Sequence, residues 1–278
     1  MIYRGKEIYL AKFDVVFKAV FIGDGDYSLL ASLLSSILNI SIKSEDIVLL
    51  NVELAPEHKS GRLARLDIRV KTVDRHINVE IQLYDRKNMD KRSIFYTSKL
   101  YTGQMSTGMK FNNLAPAIAI NILDFEYLPY IEYHNVYRLK NVRTNDELTD
   151  VFEINFIELP KVPPEINNNP KDLWARFLAA ESEEELDMLT EQNPILDKAV
   201  KKLVYVSADE LVRYEMEMRE KIELDYQSDM KDNFDKGVEE KSYRAAERAL
   251  RKGVSPDDVA YVLELPLSIV LEIKKNIR

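Results

Sequence analysis

The chain has 278 residues, no cysteine and three histidines, and its 39 Lys and Arg against 47 Asp and Glu leave a formal net charge of −8. The missing cysteines exclude disulfides, zinc–thiolate sites, iron–sulfur clusters and a cysteine nucleophile, and the scattered His58, His76 and His134 argue against a multi-histidine metal centre. With no basic-then-apolar leader pattern, no apolar run near ~18–20 residues and 46% hydrophobic residues, the expectation is a soluble, cytoplasmic protein with a sizeable core.

The charge is unevenly spread. Residues 126–235 hold 13 basic and 26 acidic side chains, whereas residues 1–125 hold 17 and 14 and residues 236–278 hold 9 and 7. The flanks therefore keep room for a local basic surface, because attraction of a polyanion depends on local potential as well as net charge.

In chain order, Leu29–Leu38 has the apolar spacing of a helix, with Asp26 and Ser28 as caps. Ile47–Leu54 leans to strand, and Leu63–Lys71 and Ile77–Tyr84 alternate as half-buried strands do, joined by a polar turn at Thr72–His76. Asp90–Phe111 reads as a helix, and Ala115–Leu123 as a strand buried on both faces. Residues 126–160 are aromatic-rich and extend the sheet, with Ile154–Leu159 as one more strand. Pro160–Pro170 holds four prolines and three consecutive asparagines and must be a loop.

From Lys171 onward nearly everything reads as helix: Asp172–Ala180, Glu183–Gln192, Pro194–Leu203, and a long charged helix from Ala208 to about Arg251 capped by Ser207. Gly253 reads as a C-cap and Ser255-Pro256 as a helix start. The last two helices, Pro256–Leu263 and Leu267–Lys275, are split by Leu265-Pro266 like a helix-turn-helix. The second carries few base-reading side chains, which favours a packing or oligomerisation unit over a DNA reader.

The chemistry concentrates in the hairpin of residues 63–84. A turn that pairs Val73 with His76 sets position 68 opposite 81 and 70 opposite 79, which gathers the apolar side chains on one face. On the other face Asp67 then lies opposite Gln82, and Arg69 opposite Glu80. Same-face neighbours of an antiparallel pair lie ~5–8 Å apart, so Asp67, Glu80 and Gln82 converge. A one-residue slip would turn Ile68 and Ile81 outward, which disfavours it. Two carboxylates beside an amide suit Mg2+ or Mn2+, with the carbonyl of Ile81 as a further ligand. Such an ion lowers the pKa of a bound water and neutralises phosphoryl charge. Alternating polar residues also serve simply as the solvent face of a strand, and spacing alone leaves both readings open.

Asp67 followed by Glu80-Ile81-Gln82 resembles the Asp…(D/E)-x-K core of the PD-(D/E)xK nuclease superfamily. More closely, the chain is similar to the bacterial PD-(D/E)xK nuclease-family transposases, related to the Rpn recombination-promoting nucleases. The matching residues are Asp14, Phe17-Lys18, Leu66-Asp67-Ile68, Asn78 to Gln82, Lys91-Arg92, Tyr96, Tyr101, Gln104, Gly108 and Pro116. Leu173-Trp174, Phe177-Leu178, Gly253 and Ser255 continue the likeness, whose sharpest part is residues 14–123.

The resemblance implies an α/β fold: a restriction-endonuclease-like mixed sheet flanked by helices, followed by an all-helical C-terminal region. The nuclease-like domain would cover residues 1–160. The helical region, 171–278, would include the long charged helix and the terminal helical pair, and would support a homo-oligomer. The resemblance further implies that Asp67 and Glu80 bind the metal, with Asp14 as an additional ligand, and that Gln82 stands where lysine is usual. It makes Lys18, Lys91, Arg92 and Lys99 the candidates for contact with phosphate. The implied activity is a metal-dependent DNA endonuclease linked to recombination or mobility of a genetic element, with Mg2+ or Mn2+ as cofactor and DNA as partner. The alternative is a catalytically weak or inactive nuclease fold serving as a DNA-binding or protein-interaction module. Gln82 and the acidic middle favour the alternative, and the retained acid pair disfavours it. A third reading is a regulatory or toxin-like component whose acidic helical region masks the active surface.

Overall fold

Alternating and continuous apolar runs in the first half of the chain form the strands, and the helical spacing of the rest forms helices. The computed structural model describes residues 1–50, 68–165 and 167–277. A small hairpin of β1 (Ile2–Tyr3) and β2 (Lys6–Glu7) precedes α1 (Asp14–Ile22) and α2 (Ser28–Leu38). The sheet strands are β3 (Val48–Leu49), β4 (Ile68–Lys71), β5 (His76–Gln82), β6 (Ala117–Leu123), β7 (His134–Lys140) and β8 (Glu147–Glu158). Helix α3 (Met89–Thr102) links β5 to β6, and α4 (Pro170–Ala179), α5 (Glu183–Gln192), α6 (Pro194–Ser207), α7 (Glu210–Arg251), α8 (Pro256–Val262) and α9 (Leu267–Asn276) follow.

Among the described residues the main sheet has six strands in the order β3-β4-β5-β6-β8-β7. Strands β5, β6 and β8 run parallel at its centre, and the outer pairs are antiparallel. This is the expected mixed sheet with helices around it and a helical C-terminal region. All seven residues of β6 are buried, as a central parallel strand requires. One face of the sheet is lined by Ile68, Val70, Ile77, Val79, Ile81, Ile118, Ile120 and Ile122, all buried.

The hairpin register differs from the expected one. Ile68 faces Val79, Arg69 faces Asn78 and Lys71 faces His76. The turn lies one residue earlier than the expected one. The Thr72 N–H donates to the Arg75 carbonyl at 2.9 Å, and Thr72 Oγ1 reaches Asp74 Oδ1 at 3.2 Å, so the loop is Val73-Asp74. The offset is two residues, so every side chain keeps its face while its cross-strand partner changes. Arg69 therefore stands opposite Asn78 rather than Glu80. His76 opens β5 instead of lying in the turn, and burial pushes its imidazole below its ordinary range. The expected pairing of Asp67 with Gln82 lies outside the described residues, as do the residues of the expected strands from Asn51 to Leu54 and from Leu63 to Asp67.

Helix ends also differ, and α6 runs on to Ser207 past the expected Leu203. Helix α3 stops at Thr102, well short of Phe111. The Gly103 N–H donates to the Lys99 carbonyl at 2.8 Å, and a Cβ at Gly103 would meet that oxygen at the same distance. The Gln104 amide then donates to the Ala115 carbonyl and accepts from its N–H, both at 2.9 Å, which clamps the end of α3 to the start of β6. Helix α7 begins at Glu210. Its first N–H groups are taken by Asp209, from Leu211 at 2.9 Å and Val212 at 3.2 Å, while Ser207 ends α6 and donates back to Leu203 at 2.7 Å.

The chain forms two compact units, residues 1–213 and 214–278. In the first, Phe17 and Phe21 of α1 stack in series with Trp174 and Phe177 of α4, at ring separations of 4.5, 5.6 and 5.6 Å. Trp174 Nε1 donates to Ser32 of α2 at 3.1 Å, so the single tryptophan ties three helices together. Buried Lys12 joins Asp124, at the end of β6, to Glu181, between α4 and α5, at 2.9 and 2.5 Å. In the second unit, Ala246 of α7, Val259 of α8 and Val270 of α9 form a small core, and Gly253, at φ +85°, turns the chain out of α7 as expected of a C-cap. No helix among the described residues is long and apolar enough to cross a membrane.

Candidate active site

Helix α3 covers the sheet face opposite the isoleucine layer, and that face is divided. Towards β8 it is apolar, with Met89 of α3 packed among Ala119, Leu123, Ile154 and Phe156. Towards β4 it is polar: Arg69, Asn78, Glu80 and Gln82 share the face by strand alternation, and Asn121 sits beside Glu80 in the parallel register.

Glu80 is the centre of this half. It is only 2% exposed. Burial of a carboxylate is costly unless it is paired and hydrogen-bonded. Gln82 Nε2 donates to Glu80 Oε1 at 2.9 Å, and Arg92, reaching down from α3, pairs with the same oxygen. Helical periodicity explains the reach: Met89, Ser93, Thr97 and Leu100 are the buried stripe of α3, and Arg92 and Tyr96 flank it. The Arg92 guanidinium lies 5.9 Å from the Tyr96 ring centroid. Asn121 is held by bonds to Ser93 Oγ at 2.8 Å and the Asn155 carbonyl at 3.0 Å.

Several polar atoms here have no hydrogen-bond partner among the described residues: the acceptors Asn78 Oδ1, Glu80 Oε2 and Asn121 Oδ1, and the donors Arg92 Nε, Arg69 Nε and Arg69 Nη2. Each such atom costs about 1–3 kcal/mol. Burial also pushes the Arg69 guanidinium below its ordinary range.

Of the residues singled out in the sequence, Glu80, Gln82 and Arg92 come together. Ile81 is in β5 between the first two, with its side chain on the isoleucine face. Asp67 lies outside the described residues. Asp14 opens α1 and accepts from the Val15 N–H at 2.9 Å, and Lys18 lies one turn further along that helix. Lys91 is exposed on α3, and Lys99 places its ammonium 4.8 Å from the Phe95 ring centroid. Among the described residues no group of three or more His, Asp or Glu is placed to hold a metal ion.

Arg69, Asn78 and Asn121 received no role from the sequence. Their signal was present: alternation puts the first two on the Glu80 face, and Asn121 is the one polar residue in the run Ala115–Leu123.

Sheet order, flanking helices and a buried acid on a central strand define a nuclease-fold protein. The chain belongs to the PD-(D/E)XK nuclease family transposases, whose family model matches residues 11–233. The resemblance to the Rpn nucleases is consistent with that family. No curated protein and no solved structure matches the chain.

Proposed function

We propose that the protein is a metal-dependent DNA endonuclease acting in recombination or in the mobility of a genetic element. The observation that carries this reading is Glu80: an acid held in place on a central strand, with one carboxylate oxygen, Oε2, left without a partner among the described residues. Among the described residues the oxygens of Asn78 and Asn121 on the same face also have no partner, and unpaired oxygens are what a hard divalent cation takes. The donor set therefore fits Mg2+ or Mn2+. Asp67 and Glu80 would hold the ion, with Asp14 and the Ile81 carbonyl as further ligands from the sequence reading. When bound, the ion lowers the pKa of a coordinated water and offsets charge on a phosphoryl oxygen.

The chain's own residues supply the rest. Gln82 and Arg92 fix the Glu80 carboxylate, and Gln82 would orient the attacking water. Arg92, Lys91 and Lys99 of α3, with Lys18 of α1, meet the phosphates of the DNA. Water adds to phosphorus in line as the bond to the leaving oxygen breaks; the proton the water loses is balanced by one taken up from solvent by the leaving oxygen, giving a phosphate monoester and a free hydroxyl.

A second reading has one observation in its favour. The Arg92 guanidinium already neutralises Glu80, and residue 82 is an amide rather than a cation. Such a site suits a catalytically weak DNA-binding or protein-interaction module.

Supercoiled plasmid incubated in Mg2+ and then Mn2+ with wild type, Asp67→Ala and Glu80→Ala separates the two. Nicking or linearisation by wild type alone is expected. No cleavage, with both folded variants matching wild type in thermal response to the ions, would move the assignment to the binding module.

A further inference from the structure

An arginine is rarely buried without partners, because its charge and five N–H donors all have to be taken out of water. Arg69 is 8% exposed, and neither its Nε nor its Nη2 finds an acceptor among the described residues. It lies on β4 directly opposite Asn78, two residues along β5 from Glu80, on the face that α3 covers. Helix α3 brings the Tyr96 ring beside Arg92 on this same face.

The unpartnered atoms of this face fall into two kinds. Asn78 Oδ1, Glu80 Oε2 and Asn121 Oδ1 are acceptors that suit a cation. Arg69 Nε, Arg69 Nη2 and Arg92 Nε are donors that suit an anion. We propose that Arg69 is the phosphate anchor of the site, its guanidinium fork taking two non-bridging oxygens of a nucleic-acid phosphate beside Glu80. The inference rests on the nuclease reading above and supplies the positive charge that Gln82 lacks.

The other cations are less well placed for this task. Arg92 carries Glu80, Lys99 lies over Phe95, and Lys91 points to solvent. Arg69 presents two adjacent donors in a planar fork, the geometry that matches phosphate bidentately.

The variants are Arg69→Met and Arg69→Lys in the full chain, and the first probe is inorganic phosphate. Arg69→Met is expected to melt higher than wild type, since an apolar side chain replaces an unpartnered buried charge. Saturating phosphate should raise the wild-type Tm by about 2–4 °C, leave Arg69→Met unshifted and move Arg69→Lys part of the way. Equal shifts in wild type and Arg69→Met, or no shift in wild type, would overturn the anchor. The second probe is a short DNA duplex in EDTA. Here Arg69→Met should lose about tenfold in affinity and about one from the slope of log K against log salt. A folded Arg69→Met that keeps wild-type affinity and slope would also overturn it. An Arg69-dependent phosphate shift in a wild type that never nicks plasmid would keep the anion site and reject only the nuclease assignment.

Discussion

Glu80 is offset from two directions, along its own strand by Gln82 and from above by Arg92. Arg92 is the stronger partner because it brings charge, and it is also the one a metal ion would displace or share. Removing it leaves a carboxylate buried with only an amide for company. Arg92→Met should therefore cost about 3 kcal/mol in urea unfolding. The loss should shrink when Mg2+ is added, because the cation then does the work of the guanidinium. An Arg92→Met protein as indifferent to Mg2+ as a Glu80→Gln control would show that no cation reaches this carboxylate. Residue type and spacing named Glu80 and Gln82, and the family resemblance added Arg92 as a phosphate contact. Neither gave Arg69 a role, because an arginine on a polar strand face ordinarily reaches solvent, and its burial becomes visible only in the folded chain.

The elements owe their ends to local chemistry that is partly visible in the sequence. Helix α5 is the clearest case: Ser182 Oγ accepts from the Glu185 N–H at 3.3 Å while Glu185 Oε2 accepts from the Ser182 N–H at 3.3 Å, a complete capping box. Glu185 also receives Arg176 of α4 at 3.1 Å, so the cap fixes the corner between two helices. Ser182→Ala should lower stability by about 1 kcal/mol through the midpoint of urea unfolding, with the m-value unchanged. A change within ~0.3 kcal/mol would mean that water replaces the serine without loss. The glutamates Glu183 to Glu185 were legible as a helix start, whereas the early end of α3 was not. Gly103 alone does not stop a helix. It does so here because Gln104 is drawn away to Ala115 at the start of β6.

Across the whole molecule the two compact units differ in how much they bury. The second rests on Ala246, Val259 and Val270, with a few partly buried aliphatic side chains around them. So small a core gives a small share of stability. Scanning calorimetry should resolve a lower-temperature transition of roughly 45 kcal/mol for this unit. Val259→Ala, by opening a cavity worth about 2 kcal/mol, should push that transition down and leave the main one in place. A single transition that shifts as a whole would show that both units unfold together.

The sequence by itself determined the mixed α/β class, the helical second half, the proline- and asparagine-rich break between them, and the acid and amide at positions 80 and 82. These follow from periodicity, composition and residue chemistry, all of which act over a few neighbouring positions. The tertiary structure alone decided the two-residue offset of the hairpin, whose face pattern is identical in either register, so alternation could not distinguish them. It alone brought Asn121 from β6 and Arg92 from α3 to Glu80. And it alone left Arg69 buried without a partner among the described residues, because whether a charged side chain meets water depends on what the rest of the chain packs over it.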